Sequence, residues 1–248
     1  MDNPPSKNVR LVLEYDGTRY HGFQRQAGLA TIEEELLTGM ERILQQKVKI
    51  GYAGRTDAGV HARWQVINFH TTRDIDPHRF RWALNCVLPQ DIVVKRAEIV
   101  ASDFDARKNA REREYRYYIL NRPYPSAFNQ RCLLVTRTLD IEGMKEACGY
   151  LEGTHEFTSF CKLEGEGTDT VRSMYRCECR TEEDFVILIF RANSFLRHMV
   201  RSMVGTIMEV GLGKMAPTGV REILESRDRS RAGATAEARG LFLWDVRY

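Results

Sequence analysis

Val9-Arg10-Leu11-Val12-Leu13-Glu14-Tyr15-Asp16-Gly17 is the stretch from which the fold class is read. Val9, Leu11, Leu13 and Tyr15 alternate with Arg10, Val12 and Glu14, the period of two expected of a half-buried strand. Asp16-Gly17 ends it in a turn. Beyond the turn, Thr31-Ile32-Glu33-Glu34 has capping-box form, with Thr31 as N-cap and Glu34 three positions later. Ile32, Leu36, Met40, Ile43 and Leu44 follow at helical spacing, which predicts an amphipathic helix over 32–46.

Outward from this strand and helix the same alternation continues. Strands are expected at 47–52 and 66–70, a short helix near 76–86 and a strand around 92–98. In the second half, 111–120 reads as a strand rich in Arg and Tyr. Ile141, Met144, Cys148 and Leu151 suit a helix over 141–151. Runs 172–180 and 184–192, joined by Glu182-Glu183-Asp184, read as a hairpin. Phe195, Met199, Met203, Ile207 and Val210 mark a long helix that stops near Gly211 and Gly213. Pro217 opens another to about 226, and 241–248 closes the chain as a strand. Similar proportions of strand and helix in both halves predict two related α+β lobes, 1–103 and 104–248.

The 248 residues suffice for one large domain or two compact ones, and 43% hydrophobic content supports a core. No run approaches the roughly 20 apolar residues that span a bilayer. The opening Met1-Asp2-Asn3-Pro4-Pro5 lacks the basic and apolar regions of a secretory signal, so a cytoplasmic location is expected. Six scattered cysteines and six unclustered histidines offer no zinc spacing, and no metal site is expected. Net charge is only +3, yet 29 of the 37 basic residues are Arg. The planar guanidinium suits bidentate phosphate contacts and base stacking, although a coding bias would give the same richness.

Gly54-Arg55-Thr56-Asp57-Ala58-Gly59-Val60-His61 is the first constellation that could carry chemistry. Two glycines bracket a charged pair between strand-like segments, so the loop can hold its side chains in an unusual arrangement. A carboxylate with a cation within about 4–6 Å has its pKa lowered by roughly 1–3 units and stays ionised. It can then act as nucleophile, general base or electrostatic stabiliser. A plain turn tied by a local Asp–Arg pair is the competing reading. Alternation also puts Arg111, Arg113, Tyr115 and Tyr117 on one strand face, a stacking platform for bases or, for Tyr117 and Tyr118, core padding. Glu112 and Glu114 fall on the opposite face. Arg197 and Arg201, four apart, share a helix face away from the Phe/Met stripe.

The eight-residue loop resembles the signature of the TruA-type tRNA pseudouridine synthase family. So do further blocks in the family's order: Glu14 to Gln26, Asn85 to Ile92, Phe104 to Arg107, Tyr115 to Tyr117, Gly153 to Phe160, Phe195 to Gly205, and Gly240 to Leu243. The resemblance implies the pseudouridine synthase fold, with mixed, mainly antiparallel sheet, helices packed on one face and an active-site cleft between the lobes. It implies Asp57 as nucleophile, Tyr115 as the uracil-stacking tyrosine, Arg201 as basic partner of the carboxylate and Arg55 as a substrate-binding residue. It further implies no cofactor, a homodimer, and action on uridines 38, 39 and 40 of the tRNA anticodon arm. A uridine must leave the stack before it reacts, at a cost of a few kcal/mol. The loop Gly211-Leu212-Gly213-Lys214 lacks nucleotide-binding spacing. An idle RNA-binding module or tRNA chaperone on the same scaffold, an Asp-dependent hydrolase with a small substrate, and a paralogue acting on other uridines are the rival readings.

Overall fold

A computed structural model describes residues 6–163, 165 and 167–248, so the Met1–Pro5 reading lies outside the described residues. The chain divides into two compact units, Met1–Arg111 with Leu243–Tyr248, and Glu112–Phe242. The expected boundary at 103/104 falls before this division, and the last strand, expected in the second lobe, returns to the first unit. A returning terminal strand satisfies the backbone of a sheet edge, and alternation along the chain gives no sign of which edge it will find.

In the first unit, β1 (Lys7–Tyr15) lies between β3 (His61–Thr71) and β4 (Ile92–Val100), antiparallel to both. The short β2 (Ile50–Tyr52) pairs with β3. Val9, Leu11 and Leu13 are fully buried, as their alternation requires. They face the same way as their partners Phe69, Ile67 and Gln65. Helices α1 (Ile32–Leu44) and α2 (Pro77–Val87) belong to this face, where the Phe69 and Phe80 rings lie 5.7 Å apart. Thr31 caps α1 by accepting from the Glu34 N–H, so it is the N-cap the motif predicts, while a Glu34 carboxylate oxygen lies 3.5 Å from Arg25. Asp76 caps α2 through the His78 and Arg79 amides, with Pro77 in the first turn.

In the second unit, β5 (Glu112–Asn121), β9 (Phe185–Ala192), β8 (Val171–Glu182) and β7 (Gly153–Glu156) form an antiparallel run in that spatial order. The short β6 (Leu133–Val135) runs parallel to β5. Sequence reading missed β6 and β7, which are too short to show a period. Helices α3 (Ile141–Gly149), α4 (Met199–Gly211) and α5 (Thr218–Ser226) complete the unit. β10 (Leu241–Arg247) ends the chain. No helix among the described residues is long and apolar enough to cross a membrane.

One helix begins later than the spacing predicts. The Phe/Met stripe starts at Phe195, but α4 starts at Met199 because His198 takes φ 63°, a left-handed conformation that cannot continue a helix. Arg197 therefore precedes the helix that carries Arg201, and the two do not share a helix face.

Candidate active site

The Asp57 loop joins β2 to β3, and its shape follows from turn chemistry. The Val60 N–H donates to the Asp57 carbonyl at 3.1 Å, closing a four-residue turn. Gly59 sits at its third position with φ +76°, where a type II turn requires positive φ. Ala53 is fastened to β3 by its N–H to Val66 O at 2.9 Å. The fully buried Gln65 side chain holds Gly54 by both backbone groups, donating to its carbonyl at 2.6 Å and accepting from its N–H at 3.4 Å.

The segment after β1 grips the same loop from its other side. Tyr15 and Thr56 share a buried hydroxyl–hydroxyl bond of 2.8 Å. The Phe23 N–H donates to Thr56 O at 3.0 Å, and the Gly59 N–H donates to Tyr20 O at 3.2 Å. Gly22 adopts φ +94°, and a Cβ there would sit 2.8 Å from Thr56 O, so only glycine permits this approach. Burial pushes the Tyr15 phenol well above its ordinary pKa, keeping it a neutral partner for Thr56. The Nδ1 atom of buried His61 lies 3.1 Å from the Gly17 N–H and 2.9 Å from Asp16 Oδ1. Its tautomer decides whether it accepts from the first or donates to the second.

This frame leaves Asp57 half-buried and Arg55 exposed, on a backbone fixed at residues 53, 54, 56, 59 and 60. A charged oxygen on a rigid loop loses little freedom when it meets a substrate. The supporting residues Tyr15, Thr56 and Gln65 are not named as site residues by the sequence reading. Tyr15 lies in the block Glu14 to Gln26, which proves to grip the Asp57 loop, and Thr56 in the signature loop itself, whereas Gln65 on β3 falls in neither block.

The second unit holds the other two expected site residues. Tyr115 lies on β5 opposite Phe190, 7% exposed, with its ring edge-on to Phe195 at 5.0 Å between centroids. The expected four-residue stacking platform is not open, however. Tyr117 is fully buried and donates its hydroxyl to Glu237 O at 2.9 Å, while Arg113 is buried with Nη1 on Asn193 O at 2.7 Å. Strand β5 is covered on both faces, so alternation there does not separate core from surface. Glu112 and Glu114 do lie away from Tyr115. Arg191 holds Glu112 through two 2.9 Å hydrogen bonds, and Arg116 reaches Glu114 at 2.7 Å. Arg201 donates Nε–H to Ala236 O at 2.7 Å, and its own carbonyl accepts from the Ala236 N–H at 3.0 Å. That pair fixes the direction in which the guanidinium leaves α4.

Among the described residues, no group of three His, Cys, Asp or Glu is placed to hold a metal ion. The cysteines are free thiols, and burial raises Cys179 to about 12, far from a reactive thiolate.

A family model described as tRNA pseudouridine synthase matches residues 11–107 and 147–248, the segments carrying the Asp57 loop and α4. The tRNA pseudouridine synthase A of Thermoanaerobacter sp. (strain X514) is 43% identical over 98% of this chain and 100% of its own. That of Brevibacillus brevis is 43% identical with the same coverage, and that of Pseudoalteromonas translucida is 41% identical over 97% of this chain and 91% of its own. Likeness at this level, along nearly the whole length, includes the loop and the segment that clamps it. The chain therefore belongs to the tRNA pseudouridine synthases, isomerases that convert uridine to pseudouridine within tRNA.

Proposed function

We propose that Asp57 is the nucleophile of this isomerisation and that its targets are uridines 38, 39 and 40 of the anticodon arm. The observation that carries the reading is a half-buried carboxylate on a loop whose backbone is fastened on both sides of it. The reaction breaks the C1′–N1 bond of uridine, turns the uracil and forms a C1′–C5 bond. The C5 proton is lost and N1 gains one, so composition is unchanged and no oxidant, reductant or cofactor enters. An ionised carboxylate serves this by adding to the sugar or the base, or by stabilising positive charge developing at C1′.

Tyr115 is the stacking partner of the uracil, with Phe195 bracing its ring, and Arg201 supplies the cation that supports the carboxylate. Arg55, exposed beside Asp57, contacts the everted nucleotide's phosphate or its neighbours. The lobe bearing the Asp57 loop and the lobe bearing β5 and α4 act as the two functional domains of a homodimeric, cytoplasmic enzyme.

The test is pseudouridine mapping in unmodified tRNA incubated with the purified chain and with Asp57→Asn. New pseudouridine is expected at positions 38–40. The variant is expected to lose at least about 10³-fold in kcat, because an amide is a poor nucleophile. Its tRNA affinity is expected to stay within about twofold, since no phosphate contact is removed. Full turnover by Asp57→Asn would refute the assigned role. An idle RNA-binding module would show binding without product in either form.

A further inference from the structure

The first unit's sheet has a second face, turned away from α1 and α2, and two register irregularities gather charge and aromatic surface there. On β1, Leu13 pairs with Gln65 and Tyr15 with Ala62, so Arg63 and Trp64 together stand opposite Glu14. On the other flank, Val12 pairs with Arg96 and Leu13 with Val94, so Lys95 is the extra residue beside Arg96. A β-bulge of this kind sends two neighbouring side chains toward one face, which strict alternation forbids. The two bulges, on either side of β1, bring Trp64, Lys95 and Arg96 together. The Arg96 guanidinium lies 5.0 Å and the Lys95 ammonium 4.8 Å from the Trp64 ring centroid. Lys95 also bonds Glu14 at 3.0 Å and the Arg63 carbonyl at 3.3 Å, which ties the two bulges to each other. Arg63 stacks over Trp244 at 4.3 Å.

Charge decides what this face fits. Lys95 is matched by Glu14, and Arg10 on the same face by Glu98 at 2.8 Å. Arg63 and Arg96 are exposed, and neither has a carboxylate partner among the described residues. A guanidinium held over an indole gives up part of its side-chain freedom while its N–H groups remain able to donate. Two such groups on one face present preorganised donors to phosphates along a backbone. A second copy of the same face would set guanidinium against guanidinium.

We propose that the bulged face of the first unit is a docking surface for the phosphodiester backbone of the RNA substrate, with Arg63 and Arg96 as phosphate-binding residues locked by Trp244 and Trp64. The inference rests on the tRNA reading given above and adds a contact outside the assigned site residues. Because β3 leaves the Asp57 loop at His61, Arg63 and Trp64 follow directly from the residues that fix the carboxylate. Backbone contacts there would set the register of the RNA without reading its sequence.

The test is equilibrium binding of unmodified tRNA to the full chain over a range of salt concentrations, comparing wild type, Arg63→Gln/Arg96→Gln and Arg63→Lys/Arg96→Lys. The Gln pair is expected to weaken binding about tenfold and to flatten the slope of log K against log salt by about 1.5–2. The Lys pair keeps the charge and is expected to restore the slope. Sedimentation and thermal unfolding of the same samples report assembly and folding. An unchanged slope in a folded Gln pair overturns the proposal, as does a Lys pair that behaves like the Gln pair. A change in oligomeric state with the slope intact assigns the face to a second copy and overturns it too. A wild-type chain that shows the expected binding pattern but makes no pseudouridine would sink the functional reading and leave the docking surface standing.

Discussion

The Asp57 loop and the segment Phe195–Arg201 both deliver a charged residue beside a change of backbone direction, but by different means. The loop uses glycines: Gly59 supplies the positive φ of the turn, and Gly22 lets a neighbouring segment approach within hydrogen-bonding range. The helix entrance uses His198 at φ 63°, a residue with a Cβ in a conformation that costs of order 1–3 kcal/mol and persists only where its surroundings enforce it. One region is built from residues suited to its geometry, the other from a residue held against its preference. The first should fail by crowding, and the second should respond to shape at Cβ.

Crowding gives the largest stability effect. A methyl added to Gly17 would collide with the Val60 carbonyl oxygen, and one added to Gly205 on α4 would collide with the Ala234 carbonyl oxygen. Each obstacle is backbone, so neither can swing aside, and each Ala variant is expected to lose at least about 3 kcal/mol by denaturant unfolding. Gly17→Ala displaces the end of the Asp57 loop, so its kcat should fall even in the folded fraction at low temperature. A wild-type kcat in folded Gly17→Ala would mean that the clamp on the loop does not set its catalytic geometry.

The same contrast explains what could be read from the chain. Strand β1, helix α1 and the turn at Asp57 were legible because each follows a local rule: alternation, a capping box, a glycine at positive φ. Asp57 itself stood out as a charge between glycines. Strand β5 was legible as a strand but not by face, because Arg113, Glu114, Tyr115 and Tyr117 are all buried and burial no longer alternates. The start of α4 was misplaced because nothing in Phe195-Leu196-Arg197-His198 announces a left-handed residue. The bulges opposite Glu14 and Val12 were also invisible, since a bulge is a property of paired strands. They are what turn Arg63 and Trp64, neighbours in sequence, toward one face.

His198 gives an intermediate effect and tests the second half of the contrast. A β-branched side chain tolerates the left-handed region least, whereas glycine enters it freely. His198→Val is expected to be about 1–2 kcal/mol less stable than His198→Gly, a gap of several degrees in Tm for a chain of this size. Equal Tm values would show that the helix entrance relaxes around its residue. The conformation would then be incidental to how Arg201 is presented.

The smallest effect tests whether the loop depends on the buried hydroxyl of Tyr15. Tyr15→Phe keeps the ring against Phe23, whose centroid is 6.1 Å away, and removes the hydroxyl, which is shared with Thr56 at 2.8 Å and reached by the Gln65 amide at 3.5 Å. Loss of one such bond costs about 1 kcal/mol, because the Thr56 hydroxyl stays buried with a partner missing. If that bond also fixes the carboxylate, kcat should fall severalfold while tRNA affinity is kept, since the phenol is buried and meets no phosphate. A drop in stability with kcat intact would leave the turn and its remaining hydrogen bonds, from Phe23, Gly59, Ala53 and Gln65, as sufficient to place Asp57. A drop in both would make the Tyr15–Thr56 pair part of what positions the carboxylate.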